Sequence, residues 1–199
     1  MNTIISNIKQ RRSIRKYKNK KIPKELIKEI IEAGRYAPSS HNSQPWRFIV
    51  ITNKKKINEL SEYIKNWFKK RLKIGYLVGF FNKKIKNELE AAKKRLVNED
   101  LFFYNAPLII LICAKPKRFV EVDCACCAEN MMLAARSLSI GSCWIGFADL
   151  VINKNRKLMT SLGIPEDHKI IAHLIFGYPT KFPEKSMERK KEADIIKWV

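Results

Sequence analysis

The chain has 199 residues, 46% of them hydrophobic, which is the size and composition of one globular domain able to bury a core. Forty Lys and Arg against nineteen Asp and Glu give a net charge of +21, so polyanions are attracted at long range and an anionic cofactor or substrate is welcome. No apolar run approaches the ~20 residues of a membrane helix, and the opening MNTIISNIKQRR lacks the apolar core and cleavage site of a secretory signal, so a cytoplasmic protein is expected.

In chain order, TIISNIKQRR can form a short helix, and RRSIRKYKNK reads as an exposed or ligand-facing connector. IPKELIKEIIEAGRYAP predicts a helix with Pro23 in its first turn, Leu26, Ile30 and Ala33 on its apolar face, and Pro38 as its stop. The loop APSSHNSQPWRF follows, with six neutral hydrogen-bonding side chains, no acid, and Trp46 as a packing anchor; WRFIVIT is then a buried strand. Residues 54 to about 99 read as Lys-rich helix broken near Gly75 and Gly79, and the surplus aromatics Trp67, Tyr76, Phe80 and Phe81 suggest a lid over about residues 66–82.

Further on, APLIILICAK is a second apolar strand and DCACCAENMMLAARSLSI a buried helix capped by Asp123. GSCWIGFADL reads as strand and turn, NKNRKLMTSLGIP as a helix and HKIIAHLIFGYP as a last strand, while the tail from about residue 178 has too few apolar residues for a core of its own and must pack on something else. Four strands separated by helices, with no repeat and no linker, make one α+β or α/β domain over residues 1–199.

The positive charge is lysine dispersed through NKKK, IKNWFKKRLK, NKKIK and AAKKR, without a nucleic-acid-binding signature, so it reads as solvated helix faces and nucleic acid is not expected as a partner. There is no G-x-G-x-x-G and no phosphate-binding G-K-[ST] loop. Five cysteines without framework spacing read as reduced thiols; Cys124, Cys126 and Cys127 fit small residues in a packed helix better than a redox pair, and no histidine has the spacing to join them in a metal site.

Three stretches could bind a ligand. In RRSIR, alternate side chains of an extended segment share a face, so Arg11, Ser13 and Arg15 would make a phosphate clamp, or else the segment is a basic surface turn. The hydroxyls and amides of the loop at residues 38–44 could read a polar ring system, or simply cap a helix end. Gly146 in WIGF would let a planar ring approach the backbone, or mark a turn. Nucleophile, base and orienting acid occur together in no motif, so hydrolysis is not supported and the pattern suits a protein that lets a cofactor do the chemistry.

Taken in order, RRSIRKY, APSSHNSQPWRFIVI, AENMMLAARSLSIGSCWIGF and HLIFGYP with a basic tail resemble the nitroreductase family of FMN-dependent oxidoreductases, over almost the whole chain. The resemblance implies an α+β fold, a three-layer α/β/α sandwich with a mostly antiparallel central sheet, in a homodimer with FMN at the interface and a domain-swapped C-terminal arm over about residues 178–199. It implies that Arg11, Arg12, Ser13 and Arg15 hold the phosphate and ribityl chain, that Pro38, Ser39, Ser40 and Asn42 are offered by the other subunit, and that Ile145 and Gly146 flank the ring near N5. Arg189 matches a late phosphate-binding Arg, with Lys185 and Lys190 as rivals, and Asn66 and Lys69 could also touch the flavin. His41 stands where relatives face the substrate. The implied activity is transfer of a hydride from NADH or NADPH through flavin N5 to a nitroaromatic, quinone or similar acceptor, with no side chain as obligatory acid or base. Flavin-fragmenting, dehalogenating or ferredoxin- and flavin-fed members, and a flavin-storage or nucleic-acid-binding role, are the alternatives.

Overall fold

The computed structural model describes residues 2–78, 100, 102–184, 189, 193 and 195–198, with side chains to Arg71 in the first stretch. The elements are α1 (Thr3–Gln10), α2 (Lys24–Arg35), a short 3-10 turn (Ser40–Asn42), β1 (Arg47–Ile51), α3 (Lys54–Val78), β2 (Leu108–Ala114), α4 (Val120–Ser137), β3 (Gly141–Trp144), α5 (Gly146–Ile152), α6 (Arg156–Ser161) and β4 (Lys169–Gly177). No described helix is long and apolar enough to cross a membrane.

The strands form a sheet in the order β1-β2-β4-β3 with every pairing antiparallel. β2 is buried at all seven positions because both of its faces are covered. The period of two sends Leu108, Ile110 and Ile112 toward α2 and α4, and Ile109 and Leu111 toward α3, α5 and α6. Helix, sheet and helix layers result, as the α+β reading expected. At the α2–α4 contact, a Cβ on Gly34 would lie 2.6 Å from Met131 Cγ, so glycine allows the two helices to close.

Several local expectations are corrected. The buried face of α2 is Ile27, Ile30 and Gly34, one residue on from Leu26 and Ala33, and the helix stops at Arg35, three residues before Pro38. α3 continues through Gly75 to Val78; Gly79, Phe80, Phe81 and the lid beyond residue 78 lie outside the described residues. FADL is not a turn but the start of α5, entered directly from β3. Asp123 does not cap α4: Phe119 stands at the cap, in the left-handed region at φ 67°, and the Asp123 carboxylate is spent elsewhere. Trp46 is 4% exposed and serves as the anchor expected of it.

Candidate functional site

The segment carrying RRSIR leaves α1 and runs beside β3. Ser13 bridges Ser142 in parallel, and Ile14 N–H donates to the Ser142 carbonyl at 2.8 Å. The approach needs a glycine opposite, since a Cβ on Gly141 would lie 2.7 Å from Ile14 Cγ1. With Ile14 locked inward, the flanking side chains turn the other way. The Cys143 thiol donates to the Trp144 carbonyl at 3.6 Å; burial raises its pKa, and the nearby Arg15, Ser13 and Arg11 pull it back. Of Arg11, Ser13 and Arg15, Arg15 lines the cavity described below, and Arg11 pairs with an acid of α4.

Arg12 departs from that set. Its Nη1 donates to the carbonyls of Lys9 and Arg11, both at 2.6 Å, and its buried Nε has no protein partner. It closes the end of α1, where carbonyls are left unpaired. Arg11 is held by Glu129 of α4, Nε to Oε1 at 3.3 Å.

At the other end of β3, Ile145 N–H donates to the His173 carbonyl at 2.8 Å, and Gly146 opens α5 with nothing within 4 Å of a Cβ built on it. A cavity of about 330 Å³ runs between Arg15, Tyr104, Cys143, Ile145, Gly146 and Phe147. Its lining among the described residues has one cation and no acid, and Phe147 on its rim is 64% exposed. Phe68 meets Phe147 edge-on at 6.1 Å, which brings the Asn66–Lys69 stretch of α3 to the same rim. A larger cavity, about 480 Å³, lies between α2 and β1 and holds none of the predicted site residues.

The loop does not line the 330 Å³ cavity within one chain. Pro38 is exposed, Ser39 and Ser40 half-exposed, and His41 and Asn42 exposed. Three residues are left-handed, His41 at φ 52°, Asn42 at 51° and Gln44 at 41°. Ser39 Oγ accepts from Gln44 N–H at 3.0 Å and Asn42 Oδ1 accepts from Gln44 Nε2 at 3.1 Å. The loop is tied to α4 by Ser40 N–H, which donates to Asp123 Oδ1 at 3.1 Å. Arg189 is exposed, and Lys185 and Lys190 lie outside the described residues.

Glu129 and Tyr104, beside Arg11 and Arg15, carried no signal in the sequence, and Asp123 carried a misleading one, an acid near a helix start. The Cys124, Cys127 and Cys113 thiols are pushed up to about 12, chiefly by burial, so they are poor nucleophiles.

The profile of the nitroreductase family matches residues 8–178. A nitroreductase of Bacteroides fragilis, solved with bound FMN, is 33% identical, with each chain covered completely and a TM-score of 0.74. A protein of Archaeoglobus fulgidus provisionally named NADH dehydrogenase/NAD(P)H nitroreductase is 31% identical over 90% of this chain and 87% of its own. Nitrobenzene nitroreductase of Ectopseudomonas oleovorans is 26% identical over 92% of this chain and 90% of its own. A profile that spans the sheet, the clamp segment and the loop leaves one assignment: the chain belongs to the nitroreductase family.

Proposed function

We propose that this protein is an FMN-dependent oxidoreductase that takes reducing equivalents from NADH or NADPH and delivers them to a nitroaromatic, quinone or similar acceptor. The observation that carries this reading is a cavity lined by Arg15, Ile145 and Gly146 with no acid among its described lining, reached from the short segment that also carries Arg11 and Ser13. Such a donor set fits FMN: two guanidiniums and a hydroxyl suit a phosphate or ribityl oxygen, and the open face of Gly146 lets a planar ring lie against backbone. FMN, when bound, supplies the two-electron chemistry between nicotinamide and acceptor.

The chain supplies position and field. Arg11 and Arg15 neutralise the cofactor's anionic end, and Arg12 stiffens the α1 terminus from which they project. Tyr104, Trp144 and Phe147 give the cavity aromatic walls on which a planar ring can pack. Pro38, Ser39, Ser40 and Asn42 are assigned to the cofactor of a second copy, His41 to the acceptor, and Arg189 to the phosphate.

A homodimer is part of the proposal. Ile4, Ile5 and Ile8 of α1 are 71%, 48% and 50% exposed, and Val122 of α4 is 61% exposed, an apolar surface that one chain leaves in water. Ile195, Ile196 and Trp198 are exposed as well, which suits an arm that packs on a partner. Anaerobic addition of NADH or NADPH to the FMN-loaded protein tests the activity. Bleaching of the flavin band within minutes, reversed by an acceptor, is expected; no reduction by either nicotinamide overturns the reading.

A further inference from the structure

Tyr104 and Asn105 are both left-handed, at φ 53° and 54°. Asparagine adopts that region readily, but for tyrosine it is an outlier that persists only where the surroundings force it. The force here comes from Asp100. Its Oδ1 accepts from Phe102 N–H at 3.1 Å, Phe103 N–H at 3.0 Å and Ser61 Oγ at 2.6 Å, and its Oδ2 accepts from Asn105 N–H at 2.9 Å. Phe102 and Phe103 are buried, and Phe102 stacks on Phe68 at 5.3 Å, so the turn is fixed from inside as well.

The strained turn delivers the Tyr104 ring to the cavity, with the Arg15 guanidinium carbon 5.9 Å from the ring centroid. Arg11 and Arg15 are thereby held by different chemistry. Arg11 is paired with the Glu129 carboxylate, whereas Arg15 makes no ion pair among the described residues and meets an uncharged π face instead. A carboxylate orients a guanidinium but competes with any incoming anion. An aromatic face orients it through the ring quadrupole and leaves the full charge for the ligand.

We propose that Tyr104 is a positioning residue that aims Arg15 at the phosphate or ribityl oxygens of the flavin, and that the Asp100-capped turn exists to hold it there. This rests on the FMN reading above, and the test separates the two. FMN is titrated into the full-length chain freed of flavin, for wild type, Tyr104→Phe, Tyr104→Leu, Asp100→Asn, Arg15→Ala and the pair Tyr104→Leu with Arg15→Ala.

Tyr104→Phe keeps the ring and stays within about twofold of wild type, while Tyr104→Leu weakens FMN by about threefold to fivefold, the range of an exposed cation–π contact. Asp100→Asn, which loses one charged acceptor but not the aromatic, weakens it by about twofold to threefold. Arg15→Ala costs about tenfold or more, and in that background Tyr104→Leu adds less than about 1.5-fold, because there is no guanidinium left to aim. Equal losses from Tyr104→Leu with and without Arg15, or no loss at all, overturn the role of Tyr104. Unchanged FMN affinity in Arg15→Ala overturns the clamp itself. Circular dichroism of Asp100→Asn and Tyr104→Phe, the two mild variants, separates lost affinity from lost fold.

Discussion

Residues 11–15 and residues 38–44 are both short, both polar and both tied to α4, through Glu129 and Asp123 respectively, yet one is built into the sheet and the other stands off it. The clamp segment adds a bridge to β3, buries Ile14 to 4% exposure and requires a glycine opposite. The loop has three left-handed residues, few buried atoms and one long-range hydrogen bond from its backbone. The segment built into the sheet carries the arginines proposed for the cofactor's phosphate, and the loop that stands off it carries the residues proposed for the cofactor of a second copy, with His41 proposed for the acceptor.

The sharpest way to break the contrast is to damage the rigid side. Gly141→Val places a side chain where Ile14 already lies, and we expect a loss of about 3 kcal/mol in stability by urea unfolding, together with loss of bound FMN. Acid should find the same wall next. His173, whose carbonyl holds Ile145, is 0% exposed with neither ring nitrogen partnered among the described residues, and burial lowers its pKa from 6.5 to about 3. The unfolded chain binds a proton below about pH 6.5 that the folded chain refuses, so stability is full above that pH and falls as pH drops toward 3. At pH 5 the loss is about 2 kcal/mol, and His173→Leu should flatten the profile between pH 6.5 and 4.

On the loop side the effects are smaller. Asp123→Ala frees Ser40 N–H and should cost about 1 kcal/mol in thermal unfolding, with Asp123→Asn, which still accepts, restoring most of it. His41→Ser, at an exposed left-handed position, should leave stability within about 0.5 kcal/mol while changing the ratio of kcat/KM between a nitroaromatic and a quinone. A change in FMN retention instead would place His41 against the cofactor.

The strands were legible because APLIILICAK and HKIIAHLIFGYP are apolar on both faces, which only a doubly covered sheet demands. The extended course of RRSIR was legible because a two-residue period is local, and Ser13 does bridge Ser142. The α2 face was misjudged by one position, since Gly34 reads as no side chain at all until Met131 is seen beside it. Asp123 obeyed a local rule on paper and a tertiary one in space, reaching a residue 83 positions earlier. Tyr104 was invisible for the same reason: its partner, Arg15, is far away in sequence, and the turn that presents it depends on an aspartate with no motif around it.

The uneven burial of the thiols gives the molecule a built-in chemical handle. Cys113, Cys124 and Cys127 are buried in the interior, Cys143 is buried at the wall of the 330 Å³ cavity, and Cys126, half-buried on α4, is the most exposed of the five. A maleimide dye should therefore react first at Cys126, on the same helix that anchors Arg11 and Ser40. If a second copy lies over that helix, the label is slowed by association, and its uptake reads out subunit exchange without any engineered cysteine.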